Sequence, residues 1–265
     1  MSYNFKDQVV IVTGASSGIG ESTARLFSQK GARVVLASRN KIKLDALASE
    51  LNLAFPVPTD VTREQDLRNL VGQTLQKFGR IDILINNAGL LLYKPMIESS
   101  LDEIRKIMEV NYFGAVACAQ AVIPTMKQQK SGVIVNISSI AGRVGFPNLG
   151  YYCASKFALT GFSETLRQEL KPLGILVTTI GPGTVYTPMT ARIVDESRKK
   201  GKRTIPVSPE YIAQRILRSI EKREIEVLVP MTSKLIYVLH FFFPVFSEWL
   251  AFKFRSLEPH PSLDR

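Results

Sequence analysis

Seven apolar runs of strand length recur along the chain, separated by longer segments of helical period, and this alternation constrains the fold more than any other feature. The predicted strands are Val9–Thr13, Arg33–Ser38, Leu53–Thr59, Ile81–Asn86, Gly132–Ile137, Ile175–Ile180 and Glu226–Val229. Most are apolar throughout, as strands covered on both faces must be. Helices are expected in the gaps, including Gly18–Lys30, Arg63–Phe78, Ser100–Gln128, Tyr152–Leu170 and Ser208–Lys222. The last opens with Ser208 as cap and Pro209 in the first turn.

The alternation predicts an α/β protein with a Rossmann-type, doubly wound parallel sheet in three α/β/α layers. The third strand holds Pro56 and Pro58, which cannot donate ladder hydrogen bonds and so belong on an outward-facing edge. A 3-2-1-4-5-6 strand order puts the third strand at an edge. Without a repeat or low-complexity linker, residues 1–230 are expected to form one domain with a lid at 187–207, followed by an aromatic extension at 231–265.

The N-terminal stretch lacks a basic segment followed by a long apolar one, so neither a secretory signal nor an N-terminal anchor is expected. Two cysteines, Cys118 and Cys153, make no disulfide framework and show no zinc spacing. A reducing, cytoplasmic setting is expected, and no metal. Against 23 acids stand 34 Lys and Arg, a net charge of +11 that calls for an anionic partner. No basic-aromatic motif or recognition helix accompanies it, so specific nucleic-acid binding is not expected.

The first predicted strand runs into TGASSGIG, Thr13 to Gly20, which opens a helix. Gly14, Gly18 and Gly20 allow a tight turn, bring backbone N–H groups against a pyrophosphate and set that anion at a helix N-terminus. The second strand ends in Ser38 and Arg39, with no acid between Glu21 and Asp45. An NAD site offers a carboxylate there, whereas Arg39 can fork two hydrogen bonds to a 2′-phosphate. NADP(H) is therefore the expected cofactor, with NAD(H) admitted. Asp60 has two readings, an acceptor for an adenine amino group or a cap for the helix starting at Arg63.

Tyr152 and Lys156 stand at i and i+4, one above the other on a helix face. An ammonium beside a phenol stabilises the phenolate and lowers its pKa, which makes a workable general acid for a carbonyl oxygen. Ser139 lies thirteen residues before Tyr152, at the end of an apolar strand. NNAG, Asn86 to Gly89, ends another strand, and Asn111 sits in mid-helix, where Asn is unfavourable without a task.

With TGASSGIG, NNAG, Asn111, Ser139, Tyr152-xxx-Lys156 and PGTVYT from Pro182 to Thr187, the chain resembles the short-chain dehydrogenase/reductase family over about residues 6–230. The resemblance implies a tetrad of Asn111, Ser139, Tyr152 and Lys156. It implies hydride transfer between a nicotinamide and a hydrophobic or acyl-type carbonyl or hydroxyl compound, with Asn111 positioning a water that relays protons to Lys156. Cofactor contacts are implied at Gly14, Ser16, Ser17, Gly18, Ile19, Gly20, Arg39, Asp60, Val61, Asn87, Ala88, Gly89, Tyr152, Lys156, Pro182, Gly183, Val185 and Thr187, and assembly as homodimers or homotetramers. The family pattern selects Ser139 over Ser138. NADP-type members frequently carry a base where this chain has Ser17, so the cofactor expectation rests on Arg39 and the missing acid. A cofactor-binding regulatory or scaffold protein with little turnover is the alternative.

The lid segment carries RKKGKR, Arg198 to Arg203, readable as a solvated loop or as steering for an anionic substrate or membrane. From Leu235 to Phe246 the chain is apolar all round, interrupted by His240 and Pro244 and flanked by Lys234, Lys253 and Arg255. Three readings stand: a cover over the pocket or a subunit interface, a peripheral membrane contact within 231–255, and a merely sticky tail. The tail also resembles that of a largely uncharacterised dehydrogenase/reductase subgroup with membrane-associated members.

Overall fold

A computed structural model describes residues 3–199 and 205–255, the stretch 250–255 by backbone alone. Its strands are β1 Val9–Thr13, β2 Arg33–Ser38, β3 Ala54–Pro58, β4 Ile83–Asn86, β5 Gly132–Ile137, β6 Ile175–Pro182 and β7 Glu226–Val229. They form one parallel seven-stranded sheet in the order β3-β2-β1-β4-β5-β6-β7. The expected Rossmann-type order is thus present, with β7 added beyond β6. The helices are α1 Gly18–Gln29, α2 Lys41–Glu50, α3 Glu64–Phe78, α4 Leu101–Met108, α5 Gly114–Gln129, α6 Gly150–Leu170, α7 Ala191–Lys199, α8 Pro209–Glu221, α9 Met231–Phe242 and α10 Pro244–Arg255.

Alternate side chains of each strand feed two cores. Val10, Val12, Val34 and Leu36 pack with Phe27 of α1, Leu44 of α2 and Ile216 of α8. Val9, Ile11, Val35 and Ile134 pack on the other face with Leu70 of α3, Val122 of α5 and Leu170 of α6. Burial on both faces is why these strands are Val- and Ile-rich rather than alternating.

Strand β3 lies at the sheet edge, where its prolines predict it. Val34 donates to Leu53 and Thr59 donates to Ser38, so the odd-numbered residues of β3 meet β2 and Pro56 and Pro58 face outward. Ser208 caps α8 by accepting from Tyr211, with Pro209 in the first turn as expected.

Three segments differ from expectation. The single helix expected over Ser100–Gln128 is α4 and α5 joined through one π-helical turn, Glu109–Phe113, which contains Asn111. The continuous helical stretch Leu101–Gln129 is long and apolar enough to cross a membrane by length and composition alone. It is a core helix here, with Ile107, Cys118, Val122 and Met126 buried under the sheet. Helix α2 escaped notice because it buries only Leu44 and Leu47, too little for a clear apolar period. In the lid, α7 replaces a simple loop: Arg192 pairs with Glu196, and Arg198 lies 5.5 Å from the Tyr186 ring. Of the basic run, residues 200–203 lie outside the described residues.

A buried polar chain ties α6 to the sheet. Asn86 donates to Asn136 at 2.9 Å and Asn136 donates to Ser163 of α6 at 2.8 Å, all three buried. Asn136→Ala leaves both neighbours without these partners, a loss of about 2 kcal/mol. The melting temperature is expected to fall by roughly 4–8 °C in a thermal unfolding scan.

Candidate active site

At the carboxyl ends of the central strands, a cleft of about 360 Å³ collects nearly all the predicted cofactor residues. Its floor is the turn between β1 and α1. Gly14 and Gly18 take φ of +66° and +56°, left-handed backbone that side chains rarely adopt. A Cβ at Gly20 would come 2.3 Å from the Gly14 carbonyl oxygen and 2.5 Å from Asn87 Nδ2. Ser17 precedes α1 with extended backbone and makes no side-chain cap, so the first N–H groups of α1 keep their capacity for an anion. Gly14, Ser16, Ser17, Gly18 and Ile19 line the cleft, while Gly20 sits behind them as the close contact between turn and helix.

The NNAG segment braces this turn. Asn87 Nδ2 donates to the carbonyls of Thr13 and Gly14, and the Thr13 hydroxyl accepts from the N–H groups of Asn87 and Ala88. The Asn87 side chain is thereby occupied; Asn87, Ala88 and Gly89 nevertheless line the cleft.

At the far end, Ser38 closes β2, and Arg39 and Asn40 follow it. Asn40 caps α2 by accepting from Lys43, and Ser38 accepts from the Asn40 N–H. Arg39 is exposed and has no hydrogen bond or ion pair among the described residues. Asp60 lines the cleft opposite and accepts from the N–H and hydroxyl of Thr62. Burial alone raises the Asp60 carboxyl, but the Thr62 bonds and the charges of Arg39 and Arg63 outweigh it and hold the group below its ordinary value. The capping alternative for Asp60 does not hold: Arg63 occupies the cap position of α3, without a side-chain bond. Val61 adjoins Asp60 on the cleft wall and meets Gly114 of α5 behind, where a Cβ would come 2.7 Å from its Cγ2.

Helix α6 presents Tyr152 and Lys156 to the cleft, with the Lys156 Nζ 5.8 Å from the Tyr152 ring centre. Lys156 is 5% exposed and donates from Nζ to the carbonyl of Ile137, the last residue of β5, at 2.9 Å. Ser139 donates to Pro182 O at 3.2 Å and accepts from Ala141 N at 3.1 Å. Ser138 Oγ instead bonds Lys156 O and Thr160 Oγ1, a brace between β5 and α6. Pro182, Gly183, Val185 and Thr187 complete the wall opposite α6.

Asn111 does not line the cleft. Its Oδ1 accepts from Leu90 N at 2.7 Å, and its Nδ2 donates to Leu90 O and Ser155 Oγ. The π-helical turn that carries it makes Asn111 a staple between the loop after β4 and helix α6. A Cβ on Gly89 would approach both Asn111 Oδ1, at 3.3 Å, and Lys156 Nζ, at 3.8 Å, so glycine keeps these two groups near one another.

One electrostatic expectation is corrected. Burial pushes the Tyr152 phenol up to about 12, against a smaller lowering by the Ser139 hydroxyl, and pushes Lys156 down to about 8. The ammonium does not depress the phenol here because Lys156 is itself buried and directed at the Ile137 carbonyl. Tyr152 is consequently held as a protonated donor near neutral pH.

The comparisons with known proteins agree with this geometry. A family profile described as short chain dehydrogenase matches residues 8–198. The chain belongs to the short-chain dehydrogenase family. Members are oxidoreductases that use a nicotinamide cofactor. It is 38% identical over 228 residues to an uncharacterized oxidoreductase of Staphylococcus saprophyticus, covering 83% of this chain and 93% of that one. It is 34% identical over 265 residues to a dehydrogenase/reductase SDR family protein 7-like of Drosophila melanogaster, covering 93% and 80%. Among solved structures, a short-chain dehydrogenase/reductase of Burkholderia phymatum in complex with NAD superposes with a TM-score of 0.84 at 25% identity, over 90% of this chain and 94% of that one. A short-chain dehydrogenase of Streptomyces avermitilis gives 0.81 at 28%, over 95% and 98%.

Several lining residues of this family member escaped sequence reasoning, among them Leu90, Val110, Met189 and Thr190. Met189 and Thr190 come just beyond PGTVYT, after Pro188, and were within reach of that signal; Leu90 and Val110 carry no local signature. The two shifted groups act oppositely on stability. Lys156 falls from 10.5 to about 8, so between those values the unfolded chain holds the extra proton and stability rises with pH. Tyr152 rises from 10.0 to about 12, and its contribution is lost as pH climbs through that range. Between pH 8 and 10, urea unfolding of the cofactor-free protein is expected to show about 2 kcal/mol more gain than the same measurement on Lys156→Met.

Proposed function

We propose that this chain is an NADP(H)-dependent oxidoreductase acting on a hydrophobic or acyl-type carbonyl or hydroxyl compound. The observation that carries the reading is the convergence of Tyr152, Ser139 and Lys156 on the cleft whose floor is the Gly14–Gly20 turn. The residues present fit a dinucleotide: Gly14 and Gly18 leave a cradle that side chains would strain, and the uncapped start of α1 suits a pyrophosphate. Arg39, exposed and without an ion pair among the described residues, suits a 2′-phosphate. Asp60, held as a carboxylate, suits an adenine amino group.

Once bound, the nicotinamide supplies or accepts the hydride. The Tyr152 phenol gives its proton to the carbonyl oxygen or takes one from the alcohol. The Ser139 hydroxyl, released from Pro182 O, donates to the same oxygen as charge builds on it. Lys156, titrating at about 8, is placed to return a proton toward Tyr152, with Asn111 fixing the loop and helix around it. Leu90, Val110, Val185 and Met189 offer apolar surface to the rest of the substrate.

Residues 1–230 are taken as the catalytic domain and 231–265 as an extension. A cytoplasmic setting and a homodimer or homotetramer complete the reading. Support for the assembly comes from the family, whose members are typically oligomeric.

Tyr152→Phe is expected to lower turnover of NADPH with a carbonyl panel by on the order of a thousandfold while NADPH binding stays within about twofold. Loss of binding without loss of turnover per bound cofactor would contradict the assignment. Arg39→Glu places a carboxylate against the 2′-phosphate and is expected to shift the NADPH to NADH ratio of kcat/KM toward NADH by roughly a hundredfold.

A further inference from the structure

Helix α9 is amphipathic in the reverse sense of a surface helix. Ser233, Tyr237 and His240 form its protein-facing seam. Ser233 donates to Val229 O at 3.3 Å, and a Cβ on Gly183, in the cleft wall, would come 2.7 Å from its Oγ. The Tyr237 ring lies 5.7 Å from the guanidinium of Arg143, which Glu164 of α6 and Glu226 of β7 clamp. His240 Nδ1 meets Ser247 Oγ of α10 at 2.8 Å.

The opposite stripe, Met231, Leu235, Val238 and Phe242, follows the i, i+4, i+7, i+11 spacing that a soluble helix turns inward. Here these residues are 75%, 68%, 40% and 66% exposed. The bend between α9 and α10 adds Phe243 and Phe246, at 61% and 50%. Among the described side chains of the tail, residues 231–249, none lines the cleft, so these residues give the pocket-cover reading no support.

We infer that α9 and the start of α10 are a docking element for an anionic membrane surface, entering one leaflet without spanning it. Each helix has 12 residues, about 18 Å, which is short of the ~30 Å hydrocarbon core. Residues 227–247 contain no carboxylate, while Lys234, Lys253 and Arg255 flank the apolar run. Residues 190–265 hold 14 bases against 9 acids. A second copy of this chain would bring like charges together, and the stripe is shorter than the three heptads a coiled-coil seam needs. An apolar phase beneath anionic headgroups receives the arc and lets the exposed Lys234 reach the headgroups. The root of α9 against Gly183 then holds the cleft wall within about one helix length of the bilayer.

The test uses the full-length protein, in which Trp249 is the sole tryptophan, stacked on Phe246 and 52% exposed. The protein is expected to float with vesicles of phosphatidylcholine and phosphatidylglycerol. Trp249 emission should shift to the blue and be quenched by lipids brominated near the headgroup end of the chains. Phe242→Asp with Phe246→Asp is expected to cut vesicle binding by on the order of tenfold, with thermal unfolding and NADPH binding unchanged. Phe242→Ser serves where two aspartates disturb folding. The readout does not involve the cleft, so it stands or falls apart from the reaction assigned there. Absence of flotation at low salt with unshifted Trp249 emission overturns the inference. Binding that survives the substitutions but vanishes at moderate salt overturns it too, because it then belongs to the general positive charge. A dimer that the substitutions convert to monomer, without vesicle binding, makes the arc an interface between copies instead.

Discussion

The contact on which the rest of the site depends is the Lys156 ammonium on the Ile137 carbonyl. It joins helix α6 to the last residue of a central strand, at the carboxyl end of the sheet where the cleft opens. Around it, Ser138 bonds the Lys156 carbonyl, Asn136 reaches Ser163 one turn beyond Thr160, and Asn111 reaches Ser155. Buried polar groups of this kind are costly unless partnered, so their mutual satisfaction fixes α6 in one register on the sheet. Tyr152 inherits its position from that register. The same carboxyl end of the sheet carries the glycine turn, because β1 and β4 lie adjacent where the strand order reverses, and their loops diverge to leave a crevice.

Burial decides the resting electrostatics. Tyr152 and Lys156 are both driven by burial toward their neutral forms, a protonated phenol and an amine that titrates at about 8. A proton donor and a proton source therefore sit on one helix face before any substrate arrives. At the other end of the cleft, hydrogen bonds from Thr62, backed by the charges of Arg39 and Arg63, outweigh burial and hold the Asp60 carboxyl below its ordinary value.

How much of this was legible in the sequence varies with how local each cause is. Pro56 and Pro58 announced the edge strand because a missing N–H is a property of the residue itself. The glycines of TGASSGIG marked the turn for the same reason, and Arg39 was found because a strand end is a fixed place in a βα unit. The choice of Ser139 over Ser138 came from spacing in a family pattern; the structure adds that Ser138 is spent on Lys156 and Thr160. The π-helical turn at Asn111 was not legible, since it depends on a loop and a helix distant in sequence. Nor was the direction of the Tyr152 shift, which burial and the Ile137 carbonyl set together. Apolar residues at 235–246 were evident, but only the packing of Ser233, Tyr237 and His240 reveals that the apolar side faces outward.

The central claim is that this cleft performs carbonyl chemistry with a bound dinucleotide through Tyr152. The most direct measurement is a single turnover: NADPH bound to excess full-length protein, mixed with an apolar aldehyde or ketone, and followed by the cofactor's own fluorescence. The account predicts a loss of NADPH fluorescence that depends on the carbonyl compound and matches the alcohol formed one for one. NADPH that binds tightly yet is not consumed with any member of a broad apolar carbonyl panel would contradict it, and would make the chain a cofactor-binding protein without turnover.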